Sequence, residues 1–85
     1  MNDPVILRKK LRDALRLAPL RDGLRQLSEQ SLKLSTERLY GADITVPEFR
    51  EAIEWNQAKG FIDYEWDEEA ETNYWRLTST GEARR

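Results

Sequence analysis

The residues with the strongest chemistry are missing: the chain holds neither Cys nor His. Disulfides, thiolate or imidazole zinc sites, Cys nucleophiles and His general bases are excluded together. Catalysis would rest on carboxylates, Lys, Tyr or Ser, and no pair of these is isolated in an apolar, Gly-rich or strained context. There is no phosphate-binding loop, dinucleotide fingerprint or nucleophile elbow. The expectation is a protein without enzymatic activity, cofactor or evident small-molecule substrate, which acts by binding. The densest acidic run, Asp67-Glu68-Glu69-Ala70-Glu71, lacks the alternating Asp/Asn spacing and central Gly of a calcium loop. It reads as a solvated connection that keeps neighbouring strands from pairing with other chains, so no metal is expected.

Two further constellations are candidates for binding. Arg8, Lys9, Arg12 and Arg16 recur along one stretch, with Arg21 and Arg25 following. They read first as a solvated helix face. Functionally they offer a surface for an acidic partner or a phosphate, or for the acidic segment of another copy. Trp55, Trp66 and Trp75 are possible stacking platforms for single-stranded nucleic acid, but their spacing fits core or half-buried positions better. Trp66 and Trp75 are placed to pair across a hairpin, and Trp55 is the best candidate for a partly exposed contact.

Charge is unevenly distributed. Residues 1–40 carry 9 Lys/Arg against 5 Asp/Glu, a surplus of +4, whereas residues 41–85 carry 5 against 11, a deficit of −6, giving the net −2. Such an asymmetry bears on partners more than on fold. With 85 residues, one domain over 1–85 is expected, burying about 60–65% of its unfolded surface. The three Trp and the 39% hydrophobic content argue against disorder. No apolar run approaches the roughly 18 residues of a membrane span. Met1-Asn2-Asp3-Pro4 begins no basic-then-apolar export signal, so a cytoplasmic location is expected.

The patterning defines the elements that must position these residues. Asp3 caps and Pro4 opens a helix over 4–18, with an apolar stripe of Leu7, Leu11, Ala14, Leu15 and Ala18. Pro19 is expected to end it. Residues 20–27 fit either a helix weakened by Gly23 or a loop with a short strand. Ser28 caps a second helix over 28–40, stapled by Leu27 and Leu32 and stopped by Gly41. Thr45-Val46-Pro47-Glu48 is a capping box, with Ile44 and Phe49 as its staple. The third helix, 47–59, then buries Phe49, Ala52, Ile53 and Asn56 and stops at Lys59-Gly60. Its outward residues are Arg50, Glu51, Glu54 and Gln57, with Arg50 and Glu54 spaced for an intrahelical pair. Ile62, Tyr64 and Trp66, then Trp75 and Leu77, alternate with polar residues, which marks two strands around a connection over 67–73. A final turn or short helix follows. The fold class is therefore mainly α with a β-hairpin.

Three helices, a glycine stop and a two-stranded hairpin resemble the winged helix-turn-helix layout. The stretch Ile53-Glu54-Trp55-Asn56-Gln57-Ala58-Lys59-Gly60-Phe61-Ile62 is similar to a recognition helix entering its wing. Tyr74-Trp75-Arg76-Leu77-Thr78-Ser79-Thr80-Gly81 is similar to the exit from the wing in MarR-like and PadR-like repressors. The layout also resembles small Mu-like prophage proteins. One departure is Asn56, where the family usually has a core Leu. The resemblance implies a small DNA-binding transcriptional regulator of bacterial or prophage type. In it Thr45, Arg50, Glu51, Glu54 and Gln57 face bases and Arg76 reaches phosphate. The charge opposes that docking, because phosphate neutralisation supplies most of the affinity and the wing is acidic. The alternative is a protein-interaction module on the same scaffold. Its contact surface is then the acidic wing (Asp67, Glu68, Glu69, Glu71) with Trp55, or the basic helix of Arg8, Lys9, Arg12 and Arg16.

Overall fold

A computed structural model describes residues 3–23 and 26–83, apart from the side chain of Asp22. The elements follow in the order α1 (Pro4–Asp22), β1 (Leu27–Ser28), α2 (Glu29–Tyr40), α3 (Val46–Ala58), β2 (Ile62–Asp67), β3 (Thr72–Leu77) and α4 (Ser79–Ala83). The chain is mainly helical, with a small antiparallel sheet in the order β1-β3-β2. The sheet has three strands rather than the two of the expected hairpin. The third comes from the stretch left open between helix and strand: Leu27 pairs with Trp75 and Ser28 with Tyr74. Leu27 is drawn in because it is buried in the core opposite Trp75.

Each helix begins and ends for a local reason. The Asp3 carboxylate accepts the Val5 N–H at 2.9 Å, and Pro4 occupies the first helical turn. Pro19 does not end α1, contrary to expectation. Its ring forfeits one backbone hydrogen bond, but Ala18 and Pro19 are both buried, and Ala18 and Arg21 face Ser35 and Leu39 of α2 across a narrow cleft. That burial carries the helix to Asp22, where Gly23 closes it at φ 69°. In α2 the Ser28 hydroxyl accepts the Ser31 N–H at 3.3 Å. After α2, the Glu37 carboxylate accepts the Ile44 N–H at 2.8 Å, which fixes the approach to α3. The Thr45–Glu48 capping box is present in both directions. At the far end the Gly60 N–H reaches the Gln57 carbonyl and the Phe61 N–H the Asn56 carbonyl, the paired bonds of a glycine-stopped helix.

The core lies between the three long helices and the inner face of the sheet. It contains Leu11, Leu15, Leu27, Leu32, Ile44, Phe49, Ala52, Ile53, Ile62 and Trp75. The expected apolar face of α3 is thus the buried one, as is that of α1 from Leu11 onward, while Leu7 is half-buried. Asn56 is fully buried too. Its amide donates to the Ala52 carbonyl at 2.9 Å and to the Arg12 carbonyl at 3.1 Å, joining α3 to α1. The Leu-Thr-x-x-Gly exit from β3 locks onto the end of α3. The Thr78 hydroxyl donates to the Gly60 carbonyl at 2.5 Å and the Thr78 N–H to the Phe61 carbonyl at 3.0 Å. Gly81 is buried directly against the Phe61 backbone.

Candidate binding surfaces

The residues that the resemblance would turn toward DNA separate into two groups. Arg50, Glu54 and Gln57 lie on the exposed side of α3, next to the buried Ile53. They line an open cleft of about 230 Å³ with Tyr64 and Asn73 of the hairpin and Glu29 of α2. Tyr64 and Asn73 share this face because β2 and β3 pair Ile62 with Leu77, Tyr64 with Trp75 and Trp66 with Asn73. The expected Arg50–Glu54 ion pair does not form among the described residues.

The other three are occupied elsewhere. Thr45 is used as the helix cap. Its backbone N–H, helped by its hydroxyl, holds the Glu48 carboxyl below the ordinary carboxylate range. Glu51 turns toward α1, where Arg12 Nε donates to its Oε1 at 3.0 Å and a second guanidinium nitrogen also contacts it. Arg76 sits on the opposite sheet face. Its Nε donates to Asp63 at 2.7 Å, with Glu65 3.8 Å away, and the Asp63 carboxylate raises its already high pKa.

The expected basic face of α1 is also divided. Arg8 and Lys9 are exposed. Arg12 is spent on Glu51 and lies 5.0 Å above the Trp55 ring. Arg16 is only 6% exposed, 5.6 Å over the Phe61 ring and 3.2 Å from Asp13. They stand one and two turns along from Arg8, against Trp55 of α3 and Phe61 just beyond it, so their stems cover apolar surface. Trp55 is half-buried among Arg12, Lys59 and Phe61, with ring centroids 5.9 Å apart for the aromatic pair.

The hairpin differs from expectation in its aromatic pairing. Trp75 is buried and packs on Tyr64 at 5.1 Å, while Trp66 faces Asn73 rather than Trp75 and is 54% exposed. The tip is folded by Asp67, whose carboxylate accepts the N–H groups of Glu69 and Ala70 at 2.9 and 3.2 Å. Glu68, Glu69 and Glu71 point outward. Among the described residues no three acidic side chains converge as a metal site, and no helix is long and apolar enough to cross a membrane.

A surface that sequence reading missed flanks the N-terminal half of α1. Val5 and Ile6 are 62% and 63% exposed, and Val46 is exposed nearby in α3. A groove of about 400 Å³ runs over Pro4, Leu7, Leu11, Tyr40 and Pro47, with Arg8, Glu48 and Glu51 also lining it. A second of similar volume, on the other side of the helix, includes Ile6, Leu17 and Leu39 with Lys9 and Lys10, and shares Tyr40. The signal was present in Val5 and Ile6, two apolar residues that stand off the Leu7–Leu11–Leu15 stripe.

Comparison with known proteins gives no match to a family model, to a curated protein or to a solved structure.

Proposed function

We propose that the chain is a winged-helix binding module whose partner is a protein rather than the grooves of duplex DNA. The scaffold reading is supported by the order helix, strand, helix, helix, strand, strand, with the short first strand paired to the last. The partner reading rests on one observation. Arg76, the one Lys or Arg of the hairpin strands, is held by Asp63 and Glu65, and the tip beyond it is acidic. That leaves Arg50 and Lys59 as the α3 cations, beside Glu48, Glu51 and Glu54. A backbone of phosphates needs neutralising cations at the wing and helix, and this face supplies mostly carboxylates.

DNA binding is the second reading, favoured by the gathering of Arg50, Glu54 and Gln57 with Tyr64 and Asn73 in one cleft. Fluorescence anisotropy with a mixed-sequence duplex at ~0.1 M salt separates the two. The protein reading expects no binding up to about 100 µM, the weak end of ordinary non-specific affinity. Micromolar binding that is lost with Arg50→Ala would overturn it, because a base-reading Arg carries about 1–3 kcal/mol.

A further inference from the structure

We propose that the outer edge of β2 takes up an extended segment of a partner protein as an added strand, and that the segment alternates basic with apolar residues. The proposal rests on the reading of the chain as a protein-binding module and names the kind of partner and its contact.

The backbone register carries the first part. In an antiparallel pair, residues that exchange hydrogen bonds across the ladder alternate with residues that turn theirs away. The Thr78 N–H donates to the Phe61 carbonyl at 3.0 Å, one step before the Ile62–Leu77 pair. Asp63–Arg76, Glu65–Tyr74 and Asp67–Thr72 are therefore the bonded pairs. Ile62, Tyr64 and Trp66 turn their N–H and C=O groups to the other side of β2, and β2 is an edge of the sheet. At Tyr64 and Trp66, both exposed, no other backbone or side-chain group takes up these groups among the described residues. An open row of donors and acceptors is the template on which a further strand pairs.

The side chains select the occupant. Tyr64 and Trp66 stand on the face that carries Trp75 and are 48% and 54% exposed. Asp63, Glu65 and Asp67 stand on the opposite face. Arg76 holds Asp63 at 2.7 Å and lies 3.8 Å from Glu65. The hollow beside Trp66 is lined by Glu65, Asp67, Glu68 and Glu69 with no cation. The cleft beside Tyr64 holds Glu29 and Glu54 against the single Arg50. Both flanks of the strand thus carry a surplus of carboxylates. An added strand sets its side chains about 4.5–5.5 Å from those of β2 on each face. Apolar residues would then cover Tyr64 and Trp66, and Lys or Arg would meet Glu65 and Asp67. A second copy is a poor occupant, because antiparallel pairing of two β2 strands sets Asp63 or Glu65 against a carboxylate.

Fluorescence anisotropy at ~50 mM salt, with the full chain and a dye-labelled peptide Lys-Val-Lys-Val-Lys-Val-Lys, tests this. Saturable binding is expected below about 1 mM. A peptide of the same composition with its lysines and valines in separate blocks should bind about 10-fold more weakly. N-methylation of the valines strips one edge of the peptide of its N–H groups, and N-methylation of the lysines strips the other. One of these forms should lose binding and the other keep it. Glu65→Lys, at a side chain 72% exposed, should weaken binding by about 5- to 10-fold with an unchanged melting temperature. Hydrogen exchange should slow at the Tyr64 and Trp66 amides on saturation and change little at Glu65, whose N–H is already in the ladder. No binding of the alternating peptide overturns the proposal, and so does equal binding of the blocked peptide or of both N-methylated forms, which would make the edge carboxylates a guard against pairing or a site for charge alone. None of these results touches the protein-binding reading, which falls only to duplex binding through Arg50.

Discussion

Gly81 offers the sharpest test of the packing, because the two effects of replacing it have opposite signs. A Cβ built there overlaps the Phe61 carbonyl oxygen and falls 2.9 Å from both the Phe61 carbonyl carbon and Leu77 Cδ2. Non-bonded carbons rest at about 3.5–4.0 Å, so α4 would have to retreat by about 1 Å. The Phe61 carbonyl cannot give way easily, since it accepts the Thr78 N–H at 3.0 Å. The retreat would strain the Gly81 N–H bond to the Thr78 hydroxyl (3.1 Å) and the hydroxyl's own bond to Gly60. Overpacking of this kind costs about 1–3 kcal/mol, and a lost hydrogen bond about 1 kcal/mol. Gly81→Ala should therefore destabilise by about 1–3 kcal/mol, the two losses being largely the same event. Without the clash, Ala would stabilise a helical position by about 0.5–1 kcal/mol. Urea denaturation followed by Trp fluorescence reads the difference, and each kcal/mol moves the Tm by about 4–8 °C in a domain this size. A Gly81→Ala protein as stable as the wild type, or more so, would refute the reasoning.

Substitutions at four other positions probe separate parts of the structure. Asn56→Asp places a charge against the Arg12 and Ala52 carbonyls and should cost about 3 kcal/mol or more, whereas Asn56→Leu, which also removes the buried unpaired Oδ1, should stay within about 1 kcal/mol of the wild type; denaturant midpoints that reverse this order would contradict the assigned hydrogen bonds. Glu71 holds φ 51° in the hairpin turn, so Glu71→Gly should stabilise by about 0.5–1 kcal/mol, read as a higher melting temperature. Thr45→Ala should cost about 1 kcal/mol. The Glu48 carboxyl, held below its ordinary pKa by Thr45, contributes stability that is present above its unfolded pKa and is lost as pH falls through its lower folded value. The stability gap between wild type and Glu48→Gln should accordingly close on acidification below about pH 4, and a gap that widens there would contradict the capping box.

The parts of this fold that sequence revealed are those with local causes. The capping box, the Gly41 and Gly60 stops and the period-two alternation of 62–66 each depend on residues within a few positions of one another. The failures have tertiary causes. Pro19 stops a helix by a local rule, and burial against α2 overrides it. β1 is two residues long and exists because Leu27 meets Trp75, 48 positions later. Strand register decided that Tyr64, not Trp66, would stack on Trp75, and that register is set by where the four-residue tip closes. The candidate surfaces followed the same division. Arg50, Glu54 and Gln57 were found because helical spacing alone puts them on one side. Glu51 and Arg12 were misplaced because each has its partner on another helix, and Arg16 because it is buried over Phe61, 45 positions later. The Tyr40 groove was invisible because three elements form it.

The measurement that bears most directly on the binding reading is a duplex titration followed by ¹⁵N HSQC of the full chain at ~0.1 M salt. If the partner is a protein, the amides of Arg50, Glu54, Gln57, Tyr64 and Asn73 stay where they are as duplex is added in excess. Saturable shifts along that set of residues, absent in Arg50→Ala, would contradict the account.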